Sequence, residues 1–104
     1  MRFEPSAGAP TRVEWLGRAT RKLTDEAAYI ALDNPKAADA LVDVIYASVD
    51  TLVKFPAMGR EGRIKDTREW AVPDWPYIIV YRVRDYRLQV LTIVHTRQRP
   101  RTKW

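Results

Sequence analysis

His95, Glu69 and Arg97 are the residues of this chain whose types could do chemistry together. Histidine exchanges protons near neutral pH. A carboxylate can act as a base, and a guanidinium can neutralise charge developing on a phosphate. Such a set could cleave RNA without a metal, because RNA supplies its own 2′-hydroxyl nucleophile. A second group, Arg63, Lys65, Arg68, Arg82 and Arg97, could grip a nucleic acid without cutting it. Cations neutralise phosphates, and aromatic side chains such as Trp70, Trp75, Tyr77 and Tyr81 offer faces on which bases stack. Each residue also has a plainer role open to it. A lone histidine at the end of a buried strand is commonly a satisfied structural group. Glu69 beside Arg68 could be half of an exposed ion pair contributing about 0–1 kcal/mol. Trp70 and Trp75 suit packing or turn positions better than stacking.

What is missing narrows the chemistry further. His95 is the single histidine, so an H-E-x-x-H zinc motif is excluded. Ser6 and Ser48 are the only serines, and neither has the context of an activated nucleophile. The stretch MGREGR (58–63) is rich in glycine but lacks a Walker lysine and a preceding strand, so it reads as a turn. The acidic residues are scattered, with no paired cluster for magnesium. There are no cysteines, which removes disulfides and thiolate metal sites and suits a reducing cytoplasm. No metal and no cofactor is expected. The first ten residues lack the apolar core of a signal peptide. No apolar run approaches the roughly 20 residues that span a bilayer, so no membrane partner is expected.

The elements that must position these residues follow from periodicity. Residues 1–11 read as a flexible lead-in, 12–96 as one domain and 97–104 as a basic tail. RVEW (12–15) is a short strand candidate. Leu16, Ala19, Leu23, Ala27, Ile30 and Ala31 recur at helical spacing, and so do Ala38, Leu41, Val42, Ile45, Val49, Leu52 and Val53. Between the two stripes, LDNP ends the first helix, and Asn34 with Pro35 starts the second. KFPAMGREG (54–62) reads as a loop. After it the period falls to two. TREWAV (67–72), PYIIVYRVR (76–84) and LQVLTIVHT (88–96) read as strands of an antiparallel meander. The fold expected is therefore α+β, with a helical hairpin, after a short strand, packed on a C-terminal antiparallel sheet.

Alternation then assigns faces. Tyr77, Ile79, Tyr81 and Val83 share one face of the central strand, with Ile78, Val80, Arg82 and Arg84 on the other. In the last strand Gln89, Leu91, Ile93, His95 and Arg97 are expected on one face, and Leu88, Val90, Thr92, Val94 and Thr96 on the other. Because a hairpin reverses direction, Arg82 and Arg84 are expected far from His95. Charge is as uneven as hydropathy. Residues 1–52 hold six Lys/Arg against eight Asp/Glu, whereas 53–104 hold twelve against five, within a net +5. That asymmetry suggests an anionic partner for the second half, either nucleic acid or an acidic protein segment.

Several stretches, taken in order, resemble the RelE/ParE superfamily of type II toxin–antitoxin toxins, often called plasmid stabilisation proteins. They are VEW, AAYIALDNPKAADALVDVI, LVKFPAMGREG, TREW, PYIIVYRV and VLTIVHTRQ. The resemblance implies a cytoplasmic toxin that arrests growth and a cognate antitoxin that wraps an extended or helical segment around it. RelE-like members cut mRNA in the ribosomal A site, whereas ParE-like members poison DNA gyrase without known hydrolysis. The RelE-like pattern carries an arginine before the central L-V-Y, where this chain has Ile78. It also has an arginine just past the last strand, which Arg97 matches, and a tyrosine in the tail, which RPRTKW lacks. IIVYRV and IVH are more similar to ParE-like sequences. The resemblance thus favours gyrase as target. A ribosome-dependent endoribonuclease is the alternative, and a non-toxic RNA-binding module is a third reading.

Overall fold

In the computed structural model, residues 10–97 are described. Most of the lead-in and of the basic tail, including Ser6 and the RPRTKW stretch, lie outside them. The chain runs β1 (Arg12–Trp15), α1 (Gly17–Ala31), α2 (Pro35–Lys54), a short 3-10 turn (Pro56–Met58), β2 (Arg60–Glu61), β3 (Arg68–Ala71), β4 (Tyr77–Arg84) and β5 (Arg87–His95). The strands form one sheet in the order β1-β5-β4-β3-β2. The meander β3-β4-β5 is antiparallel, as its short links require. Two details depart from the expectation. The first strand runs parallel to β5: the helical hairpin carries the chain from β1 to β2 at the far edge, and the meander returns it to β1. The stretch read wholly as loop also contributes Arg60–Glu61 as a two-residue edge strand on β3.

The helices form for the reasons their sequence states. Asn34 takes an extended conformation, and its Oδ1 accepts the Ala37 N–H at 3.0 Å, with Pro35 in the first turn. This satisfies one of the orphan donors of the helix start. The apolar stripe of α2 buries Ala38, Leu41, Ile45, Val49 and Leu52, and α1 buries Ala19 and Leu23. Ser48 is buried among them, at helical spacing between Ile45 and Leu52, although its polar side chain keeps it out of the apolar pattern.

Both helices lie against one face of the sheet. The main core joins Ala19, Leu23, Leu41, Ile45, Val49 and Leu52 to Tyr77, Ile79, Tyr81, Leu88, Val90 and Ile93, with Trp15, Trp70 and Trp75 packed on its rim. Each fully buried aliphatic side chain there contributes about 1.5–3 kcal/mol of burial. A smaller cluster, Val80, Leu91 and Val94 with Leu16 and Ile78, occupies the opposite face.

The faces of β4 are as expected, but those of β5 are not. Val80 pairs with Thr92 and Tyr81 with Val90, so Leu91 is an extra residue opposite the Val80–Tyr81 step. A bulge of this kind inverts the parity of everything beyond it. Leu88, Val90, Ile93 and His95 therefore share the helix-covered face with Tyr77 and Tyr81, while Gln89, Leu91 and Val94 face away. The two-residue turn Asp85-Tyr86 holds both residues at positive φ, 53° and 61°, as a type I′ hairpin demands.

Replacing Asn34 by Ala should lower the stability of the chain by about 1 kcal/mol, the usual cost of a missing N-cap. Urea unfolding of the two proteins, with an unchanged slope, checks this.

Candidate functional site

Three side-chain groups surround the sheet, and together they hold most of the residues that the sequence singles out. The first is a clasp at the β2–β3 edge. Tyr81 is fully buried, and its hydroxyl donates to the Pro56 carbonyl at 2.7 Å and accepts the Gly59 N–H at 2.9 Å. Arg68, half-buried and opposite Tyr81 in the register, donates to the carbonyls of Gly59 at 2.7 Å and Ala57 at 3.4 Å. A side chain at Gly59 would collide with the Tyr81 ring, 2.8 Å from Cε1, and with the Glu69 carbonyl at 3.0 Å. Burial pushes the Tyr81 hydroxyl pKa up, partly offset by the Gly59 N–H and the charge of Arg68.

Glu69 belongs to the same region but to the other face. It is 4% exposed. Arg60 Nη2 lies 3.2 Å from Oε1, and the Arg63 N–H donates to Oε2 at 3.2 Å. The expected exposed pair with Arg68 is thus a buried carboxylate paired with Arg60. Neighbours along a strand point to opposite faces, which separates Glu69 from Arg68. Arg63 and Lys65 stand exposed on the loop that follows β2.

The second group lies at the far end of the meander, where Tyr77 pairs with His95. The two rings meet edge to face, with centroids 5.2 Å apart. Tyr77 donates to Glu26 Oε2 at 3.4 Å, and Lys22 lies 3.4 Å from Glu26 Oε1. The Arg97 N–H donates to His95 Nδ1 at 3.1 Å. Burial, then the charge of Glu26 and its hydrogen bond, push the Tyr77 hydroxyl up from 10.0 to about 12. Tyr77 is consequently a neutral hydrogen-bond donor and a poor acid near neutral pH.

The third group is a polar ladder near the β4–β5 turn. Arg82 donates from Nε to Gln89 Oε1 at 2.6 Å, Gln89 donates to Glu14 Oε1 at 2.5 Å, and Arg87 lies 3.6 Å from Glu14 Oε2.

The structure therefore joins His95 to the main chain of Arg97 and leaves Glu69 apart. Glu69 sits on the row Glu69–Val80–Thr92, two strands across from His95 and three residues along β4 from the Tyr77–His95 row. It also faces the opposite side of the sheet. Arg82 lies five residues along β4 from that row, roughly 17 Å at strand rise, so the expected separation holds. Sequence reasoning did not find Glu26, Gly59 or Arg60. Glu26 and Lys22 are four apart on α1, a spacing that signals a helical ion pair, and the FPAMGR stretch signals the clasp. Among the described residues, no three of His, Asp and Glu converge on a metal position. Among the described residues, no helix is long and apolar enough to cross a membrane.

A crossover helical hairpin laid on a five-stranded sheet defines a recognisable class of small α+β proteins. The fold matches a solved structure described as "Chromosomal ParDE TA system from P. aeruginosa", with a TM-score of 0.73 and 23% identity, covering 86% of this chain and 98% of that one. A curated relative from Sinorhizobium fredii (strain NBRC 101917 / NGR234), named "Putative toxin Y4kP", is 48% identical over 88 residues, covering 84% of this chain and 90% of the relative. The family model for the ParE toxin of the type II toxin–antitoxin system, parDE, matches residues 13–100. The chain belongs to that family, and a toxin of this kind has an antitoxin as its partner.

Two outcomes follow from this geometry. Tyr81→Phe strands a buried N–H and a carbonyl, so it should cost about 1–3 kcal/mol in chemical unfolding. A Tyr77 folded-state pKa above the unfolded value means its contribution is complete below about pH 10 and is lost as pH rises towards about 12. Stability of Tyr77→Phe should therefore fall less steeply than that of the parent over that window, with tyrosinate absorbance reporting the ionisation directly.

Proposed function

We propose that this toxin arrests growth by poisoning DNA gyrase in the cytoplasm without hydrolytic chemistry of its own, and that a cognate antitoxin neutralises it. The observation that carries this reading is the dispersal of the acid–base set. Glu69 is locked into a buried pair with Arg60, away from His95 and Arg97 and on the other face of the sheet. A general base and a charge stabiliser must converge on one reacting phosphate. Ile78 adds to the argument. It stands where the RNA-cutting relatives carry an arginine, and here it packs against Val80, Leu91 and Val94. The family match supports the same target.

The alternative, a ribosome-dependent endoribonuclease, draws on the pairing of Arg97 with His95 at the end of β5. Purified toxin added to gyrase should abolish supercoiling and trap cleaved DNA, and a translation extract given the same dose should keep its mRNA intact. Unchanged supercoiling together with A-site cleavage that Arg97→Ala abolishes would overturn the gyrase reading.

A further inference from the structure

Three arginines stand side by side where the sheet ends at the β4–β5 turn. Arg12 on β1 pairs with Arg87 on β5, and Arg87 pairs with Arg84 on β4. Directly opposed residues of neighbouring strands share a face. The three therefore form one row on the face away from the helices, roughly 10 Å wide at ordinary strand spacing. The adjoining row on that face is Glu14–Gln89–Arg82. All three arginines of the first row are exposed. Arg87 alone of them meets a carboxylate, that of Glu14 at 3.6 Å, and neither Arg12 nor Arg84 forms an ion pair among the described residues.

Like charges directly opposite one another destabilise a sheet. A row of three with one shared carboxylate is therefore a feature that folding alone does not favour. Tyr86, beside the row, repeats the pattern. It is 61% exposed and holds φ at 61°, a conformation that suits glycine or asparagine and strains a bulky residue. Its carbonyl is fixed by the Thr11 N–H at 2.9 Å. Strain and repulsion thus meet at one exposed corner.

We infer that the Arg12–Arg87–Arg84 row, with Arg82 behind it, is a contact surface for the phosphate backbone of duplex DNA. The inference deepens the gyrase reading and rests on it for the duplex being DNA. A phosphate backbone suits this surface better than an acidic protein segment. Protein interfaces centre on desolvated apolar anchors, with charge at the rim. Here the row is charged throughout, and the nearby exposed Val13 and Val83 belong by register to the helix side. Backbone contacts to DNA, by contrast, are made mainly by cations that position the protein without reading sequence. Gln89 and Glu14 hold Arg82 and Arg87 in place, so part of the row is ordered before any ligand arrives.

The test is fluorescence anisotropy of a short labelled DNA duplex titrated with the purified full chain over a series of salt concentrations. Affinity should fall with salt, independently of sequence. Arg12→Gln/Arg84→Gln should weaken binding about tenfold or more and shallow the log–log salt slope by about two, roughly one for each phosphate no longer neutralised. The same variant should melt no lower than the parent, because it removes like-charge neighbours. Arg84→Gln alone should shallow the slope by about one. Tyr86→Gly should raise the melting temperature by relieving the strain at positive φ. No binding at low salt, or binding that the double variant leaves unchanged, would overturn the inference. So would a double variant that keeps DNA but no longer holds a poly-glutamate peptide, since the surface would then serve an acidic protein. Gyrase inhibition separates the two readings. DNA binding that depends on the arginine row, without any effect on gyrase, would sink the target and leave the surface. Gyrase inhibition by a parent protein that binds no duplex even at low salt would do the reverse.

Discussion

The register between β4 and β5, with its one extra residue at Leu91, is the constraint on which the rest of this molecule depends. A strand buried on one face can carry a side chain to the wrong side if it slips by a single residue. Here the bulge reverses parity midway along β5. That reversal lets Leu88 and Val90 join Ile93 beneath the helices while Gln89 and Leu91 turn away. It also decides which polar residues meet. His95 falls in with Tyr77 and Glu26, and Gln89 falls in with Arg82 and Glu14. Two polar groups on opposite faces and at opposite ends of one hairpin follow from one inserted residue.

The clasp around Tyr81 extends that constraint to the edge of the sheet. A buried phenol must find partners for its hydroxyl, and here the Pro56–Gly59 backbone supplies both. Gly59 is needed for that approach, because a Cβ would occupy the space of the tyrosine ring. Arg68 holds two carbonyls of the same stretch. An arginine that looks, by type, like a phosphate contact is thereby drawn into the fold, and Glu69 beside it is consumed by Arg60. What is left facing solvent includes Arg63, Lys65 and the arginines of the β4–β5 end. The basic second half of the chain is thus two unlike populations: cations that hold the structure, and cations that it leaves available.

Much of the architecture was legible in the residues alone. Asn34-Pro35 marked a helix start, the 3.6-residue stripes marked two helices, and β-branched runs separated by a short polar turn marked a hairpin. Each of these is a local signal, set by the backbone preferences of a few neighbouring residues. The family resemblance was equally legible, carried by FPAMGR, TREW and IIVYRV in order. The parity of β5 was not. Val90-Leu91 and Ile93-Val94 are apolar pairs that strict alternation cannot place, and with apolar clusters on both faces hydropathy does not report a bulge.

The sequence by itself determined the order of both helices and of every strand but β2, the α+β class, the family and the absence of thiol, zinc-motif and serine-triad chemistry. Only the tertiary structure decided that β1 lies parallel beside β5, that Glu69 pairs with Arg60, that Glu26 reaches Tyr77, and that Arg12, Arg84 and Arg87 form one row. The physical reason is distance along the chain. Arg12 and Arg87 become neighbours only after two helices carry the chain to β2 at the far edge and the meander returns it to β1. No local preference specifies which side chains then share a face, because register is chosen by the packing of the whole core.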